Sequence, residues 1–285
     1  MHAEQSPKLT RRALLTGGVS CAASAMAGYW FGREQNLATR AVAPTRVPPG
    51  SKTLTKTQRA AAQPDGLFRV ETTERIVALT FDDGPDPLYT PRVLDLLAKD
   101  GANATFFLVG VNATAEPDLV ARVQGAGHSV GNHTFDHREL ELLTVEQVQV
   151  EIEKGQAALI ANGVPRPRLF RPPKGYTDDV VGVLADADRY RTVFWDGCVE
   201  RFVDHQPIAE GVAQMLARVR PGSILLAHDG GAIVGSGRTP LSRSRTMDAL
   251  PLLLDGLARQ GFEIVDVPTL LARTNNPLLP RPAPK

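Results

Sequence analysis

Two carboxylates stand side by side at Asp82 and Asp83, and two imidazoles stand four positions apart at His133 and His137, in the run His-Thr-Phe-Asp-His. A helical turn would bring His133 and His137 to one side. Two histidines and one acidic residue leave a coordination position open, as catalytic zinc sites do. The H-x-x-x-H spacing alone also describes a pair of surface or capping histidines, but with Asp82-Asp83 after the preceding strand metal binding is the better reading. Asp-Asp-Gly-Pro is turn chemistry too. In a strand-to-loop turn adjacent side chains diverge, so one carboxylate can bind a metal while the other takes a proton from the attacking water. A nearby cation would keep that second carboxylate ionised, and Arg171 is the candidate.

These residues need a scaffold that collects distant parts of the chain. Ile76–Phe81 reads as a short buried strand, with Asp82-Asp83 directly after it. Thr105–Val109, Ser129-Val130, Leu169-Phe170, Thr192–Trp195, Ser223–Ala227 and Glu263–Val267 read as further strands. Helical spacing separates them at Pro91–Lys99, Pro117–Gly125, Asp178–Ala187, Ile208–Val219 and Leu250–Gln260. A long helix starts at Thr144, where Gln147 completes a capping box and Val148, Ile152 and Leu159 follow at helical spacing. Strands alternating with helices imply βα units and a parallel sheet. The count, about seven, points to a barrel, whose catalytic groups gather at the C-terminal ends of its strands. His133 and His137, Arg171, Asp196, and His228-Asp229 all follow such strands.

Four motifs now appear in order: Thr80-Phe81-Asp82-Asp83-Gly84-Pro85, Gly131-Asn132-His133-Thr134-Phe135-Asp136-His137, Arg171-Pro172-Pro173-Lys174-Gly175, and Leu225-Leu226-Ala227-His228-Asp229. Over residues 70–270 the chain resembles the polysaccharide deacetylase family, also called the NodB-homology domain or carbohydrate esterase family four. The resemblance implies an α/β fold, a distorted, incomplete (β/α) barrel of about seven parallel strands, that removes N- or O-acetyl groups from sugars. It implies Asp82 as general base, and Asp83, His133 and His137 as ligands of a divalent metal, zinc first, with cobalt or another divalent ion able to serve. It implies that Arg171 orients Asp82, that His228 is the general acid, and that the backbone N–H near Lys174 holds the tetrahedral oxyanion.

The sequence departs from the family at two places. Lys174 stands where a tyrosine is usual, which would add a charge to the pocket. The usual Asp-x-x-Asp-Trp run that supports the acid histidine is replaced, with Cys198 at the first Asp and Arg201-Phe202 at the last pair. Asp196 and Glu200 are the two candidates to support His228, and spacing does not choose between them. His128 is expected to help hold the metal loop without being a ligand, His205 to lie on the surface, and Cys198 to be a buried, inert thiol. Gly230–Arg245 reads as a flexible rim beside His228 that could meet an extended or anionic glycan.

The 32 basic and 31 acidic residues leave a net charge of +1, which argues against a nucleic-acid binder. Residues 1–32 read as a twin-arginine export signal, Arg11-Arg12 followed by an uncharged stretch, with cleavage after Ala27 or retention as a membrane anchor as the alternatives. Residues 33–66 read as a Pro/Thr/Arg-rich linker, 67–272 as the deacetylase domain and 273–285 as a Pro-rich tail. The expected protein is exported, then secreted, wall-associated or membrane-anchored. It is a monomer acting on an acetylated polysaccharide and touches a membrane only through an uncleaved anchor. N-acetylglucosamine polymers of the peptidoglycan or chitin type are the leading substrates. O-acetyl esters of xylan or another polymer are the alternative, and a glycan-binding protein without turnover the second alternative.

Overall fold

The computed structural model describes residues 66–274; the expected signal segment, nearly all of the linker and the Pro-rich tail lie outside the described residues. Among the described residues no helix is long and apolar enough to cross a membrane. The central strand, β1 (Ile76–Asp82), is buried at all seven positions. Such a continuous apolar run marks a parallel strand covered on both faces. The other strands are β2 (Thr105–Leu108), β3 (Ser129–Asn132), β4 (Leu169–Phe170), β5 (Arg191–Thr192), β6 (Gly197–Cys198), β7 (Ile224–His228) and β8 (Glu263–Val265). Seven of these run in the order β5-β4-β3-β2-β1-β7-β6, and β8 pairs with the first half of β1. Every ladder is parallel. Successive strands β5 and β6 are the two ends of this path, so the barrel is incomplete.

The connecting helices are α1 (Thr90–Lys99), α2 (Gly110–Ala115), α3 (Pro117–Gly125), α4 (Val145–Ala161), α5 (Asp179–Ala187), α6 (Val199–Val203), α7 (Ile208–Leu216), α8 (Ser244–Arg259) and α9 (Val267–Arg273). At α4 the capping box forms as the sequence implies, Thr144 and Gln147 each bonding the other's backbone. Several elements differ from the sequence reading, α8 among them, which starts at Ser244 and not at Leu250. The short helices α2 and α6 carry no periodic pattern, and α9 takes over where a strand was expected to end. The expected strand over Thr192–Trp195 stops at Thr192, and the chain re-enters the sheet as β6.

Strand alternation sorts the side chains into two layers. Val77, Leu79 and Phe81 pack outward with Leu225, Ala227 and the apolar faces of α1, α7 and α8. Ile76 and Ala78 point inward with Phe107, Leu169, Val193, Ile224 and the α9 residues Leu270 and Leu271. By the same alternation Thr80 and Asp82 face the barrel interior. Register then fixes which chain segments meet. Asp82 lies opposite His228 on one side and Phe107 on the other, while Asn132 lies opposite both Leu108 and Phe170. Residues just past these positions, Asp83, His133, Arg171 and Asp229, therefore emerge together at the C-terminal end of the sheet.

Candidate active site

The sheet register brings Asp83, His133 and His137 to one point. One ligand atom from each lies within 4.8 Å of the others. Asp83 Oδ1 is 3.2 Å from His137 Nε2 and 3.5 Å from His133 Nε2. It is buried and accepts no hydrogen bond, as an atom reserved for a cation would be. The ring of His133 is set by its Nδ1, 2.7 Å from the Arg171 carbonyl, which leaves Nε2 to face the cluster with its lone pair. His137 arrives by a different local route from the expected helical turn. Thr134 (φ 67°) and His137 (φ 55°) both lie in the left-handed region, so a loop and not a helix converges the two imidazoles. Burial works to raise the Asp83 pKa, but contacts with His133 and His137 and the charge on His228 outweigh it, holding the carboxyl well below its ordinary value.

Asp82, one residue earlier, is handled separately. Its Oδ1 accepts a 2.6 Å charge-assisted hydrogen bond from Arg171 Nη1, and its Oδ2 lies 3.7 Å from His133 Nε2. Arg171 is fully buried and is satisfied by Thr80 Oγ1 (2.9 Å) and by the carbonyls of Val193 (3.0 Å) and Phe194 (2.9 Å). Its guanidinium also lies over Phe107, 4.1 Å from the ring centroid, with Trp195 at 5.4 Å. A buried cation with this many partners is rigid. Removing its carboxylate, or it from the carboxylate, would cost about 3–5 kcal/mol.

His228 is held by Glu200, which settles the choice between the two candidates. Glu200 Oε2 is 3.1 Å from His228 Nδ1. Its other oxygen accepts from the His228 N–H (3.0 Å) and from Thr246 Oγ1 (2.8 Å). Asp196 sits lower, bonding Ser223 Oγ at 2.9 Å and the Ile224 N–H at 3.1 Å, at the start of β7. Burial alone would lower the His228 pKa. The Glu200 charge, with Asp83 and Asp82 behind it, instead raises it to about 9. Glu200 is likewise lowered to about 2, the His228 charge overcoming burial. Cys198 donates to Glu200 Oε2 at 3.4 Å. Burial, reinforced by that carboxylate, lifts its thiol to about 12, so it is inert, although half-buried and not fully enclosed.

Lys174 occupies the left-handed region (φ 58°). Its Nζ pairs with Glu139 at the rim, so its charge is neutralised there. His128 accepts from the Ala104 N–H at 3.3 Å, and it precedes β3. It therefore ties the opposite end of that strand and does not hold the metal loop. His205 is exposed. The segment expected as a flexible rim is anchored at both ends. Gly230 packs so closely that a Cβ there would lie 2.1 Å from the Asp83 carbonyl oxygen. Arg243 Nη2 donates to Asp83 Oδ2 at 2.8 Å, and Arg245 caps the Val203 and Gln206 carbonyls. Asn112, on the unanticipated α2, donates to the carbonyls of Asp83 and Ala232. Sequence reasoning missed Asn112 and Arg243, which carry no spacing signal. Asp229 lies fully buried beneath the Asp82–Gly84 turn, its Oδ2 accepting from Thr90 Oγ1 at 2.5 Å.

Comparison with known proteins places this arrangement. Residues 69–193 match the family model described as polysaccharide deacetylase. The chain is 38% identical over 216 residues to a peptidoglycan-N-acetylglucosamine deacetylase of Bacillus cereus, covering 75% of this chain and 97% of the relative. It is also 38% identical over 207 residues to a chitooligosaccharide deacetylase of a Bradyrhizobium species, covering 69% and 90%. Among solved structures, a carbohydrate esterase family four pseudoenzyme from Bacillus anthracis superposes with a TM-score of 0.64 at 25% identity, covering 74% of this chain and 70% of the other. The chain belongs to the polysaccharide deacetylase family.

Proposed function

We propose that this protein is a divalent-metal-dependent hydrolase that removes N-acetyl groups from N-acetylglucosamine-containing polysaccharide of the peptidoglycan or chitin type. The observation that carries the reading is the convergence of the Asp83–His133–His137 cluster with two couples, Asp82–Arg171 and His228–Glu200, at one end of the sheet. The deacetylase activities for which the Bacillus cereus and Bradyrhizobium relatives are named support the substrate class. The donor set, one carboxylate and two imidazoles with the Asp83 Oδ1 orphaned, fits a zinc or cobalt ion. Such an ion, when bound, polarises the acetyl carbonyl and acidifies the attacking water.

The chain's own residues then divide the proton work. Asp82, held in place by Arg171, takes the proton from water as the water oxygen attacks the acetyl carbon. The Lys174 backbone N–H donates to the oxyanion that develops, an interaction worth about 3–4 kcal/mol in comparable sites. His228 enters protonated and gives its proton to the departing nitrogen as the C–N bond breaks, leaving acetate and a free amine. We further propose export through the twin-arginine segment, action as a monomer, and delivery to the cell wall, exterior or membrane surface. The test is acetate release from N-acetylated oligosaccharides, abolished by chelation and restored by zinc or cobalt. Release only from O-acetylated xylan would move the assignment to an esterase. Glycan binding with no release from any acetylated polymer by metal-loaded protein would refute catalysis.

A further inference from the structure

The two oxygens of Asp83 live in different surroundings. Oδ1 faces His133 and His137 and makes no hydrogen bond. Oδ2 accepts from Arg243 Nη2 at 2.8 Å. Arg243 is only 9% exposed, and its Nε is committed to the Gly230 carbonyl at 2.8 Å. The residue is also the N-cap of α8, a helix whose Leu250, Leu253, Leu254 and Leu257 are buried in the core. Its backbone is therefore as fixed as its side chain. The Asp83 main chain is clamped in turn by Asn112 Nδ2, which donates to its carbonyl at 2.8 Å, and by close-packed Gly230.

We propose that Arg243 is a positioning residue that restricts Asp83 to ligating the metal through one oxygen. The inference rests on the metal-binding reading of Asp83, His133 and His137. A carboxylate free on both oxygens can chelate a cation and occupy two coordination positions. An oxygen engaged by a buried guanidinium cannot swing round without breaking a charge-assisted bond and stranding the arginine. With only three protein ligands, every position that Asp83 leaves open is available to water or to the acetyl oxygen. Arginine suits the task because its planar fork reaches Gly230 and Asp83 at once, whereas a lysine offers one point of attachment.

Cobalt-loaded protein tests this, because the visible absorption of Co(II) weakens as its coordination number rises. Arg243→Met and Arg243→Lys are compared with the parent by cobalt spectrum, cobalt affinity against a chelator, thermal melting, and kcat and KM. The expected result is that folded Arg243→Met still binds one cobalt with affinity changed by roughly 10–100-fold or less. Its absorption weakens and kcat falls at saturating metal, with KM little changed. Arg243→Lys, which keeps the charge and serves as the folded control, weakens the spectrum in the same direction by less. An unchanged spectrum in both variants would overturn the proposal, and so would an effect on KM alone, which would place Arg243 on the substrate. Failure of the parent protein to bind cobalt would instead defeat the metal reading on which the inference rests.

Discussion

Glu200→Gln is the most informative single change, because it removes a charge while keeping a shape. A glutamine carbonyl can still accept from the His228 N–H and Thr246, as Glu200 Oε1 does. Its amide then replaces the oxygen that lies 3.1 Å from His228 Nδ1, so a donor faces the nitrogen that a carboxylate had held protonated. Burial pulls the His228 pKa down, and the Glu200 charge is the largest influence raising it to about 9. Two unit charges at this separation attract by about 5 kcal/mol at an effective dielectric near 20, an upper figure for what is lost. With the remaining pull of Asp83 and Asp82 offset by burial, His228 falls back toward the ordinary histidine range, a drop of roughly 2 units or about 3 kcal/mol. The protonated fraction at pH 8.5 then falls by roughly 25-fold, whereas at pH 6 it changes by less than about two-fold.

The assay is kcat/KM for an N-acetylated oligosaccharide from pH 5.5 to 9.5, with metal saturating throughout. A bound dication lowers the His228 pKa in parent and variant alike, so the displacement between the two profiles carries the prediction and their absolute position does not. The basic limb of Glu200→Gln should lie about 2 units below that of the parent, with the acidic limb in place. A variant profile parallel to the parent, reduced by one factor at every pH, would refute an electrostatic role for Glu200 and leave only packing.

Three further outcomes follow from the site. Asp83→Ala should lose metal, measured by chelator competition, whereas Asp82→Asn should keep metal and lose rate; the reverse pattern would overturn the division of labour between the two carboxylates. His228→Ala should slow amide substrates far more than aryl esters, since an amine needs a proton to leave and a phenol needs one much less; equal losses would remove His228 as the acid. Asp229 is lifted by burial to about 7, so the folded chain retains a proton that the unfolded chain releases near pH 4. That group lowers stability progressively as pH rises from about 4 to 7, by on the order of a few kcal/mol in total. Asp229→Asn should therefore raise the denaturation midpoint at pH 8 and change it little near pH 4, and a pH-independent effect would contradict the burial argument.

The sequence made the strands legible wherever burial imposed an unbroken apolar run, as at Ile76–Phe81, and the Thr144–Gln147 capping box located α4 to the residue. Short helices were illegible. The helix Gly110–Ala115 is one and a half turns with a glycine at its start, too brief for any periodicity to accumulate. The helix Ser244–Arg259 carries Pro251 in its interior, a residue that normally ends a helix, so only its second half showed. In the site, residue types and spacing identified Asp82, Asp83, His133, His137 and His228 because each lies at or past the C-terminal end of a strand and the register does the rest. The spacing of the two histidines misled on conformation, since left-handed Thr134 and His137 do what a helical turn was expected to do. Arg243 lay hidden in a run of glycines and arginines, because a guanidinium that reaches across 160 positions to Asp83 leaves no local trace.

A pseudoenzyme shares this fold, so the fold alone does not decide for turnover; the state of the couples does. Where the family usually places an aspartate, this chain has Cys198, at the end of β6. The carboxylate that faces His228 is Glu200, on the first turn of α6. There it meets His228 Nδ1, the His228 N–H and Thr246 together, so position and charge are both supplied. Cys198 keeps its own proton and donates it to the same carboxylate, which stabilises the anion that the histidine needs. An aspartate retained at position 198 beside Glu200 would instead crowd two negative charges against one imidazole and raise the proton affinity of both. Cys198 and Glu200 are thus coupled electrostatically, and Cys198→Asp alone should lower the deacetylation rate, with recovery only when Glu200→Gln removes the second charge in the same chain.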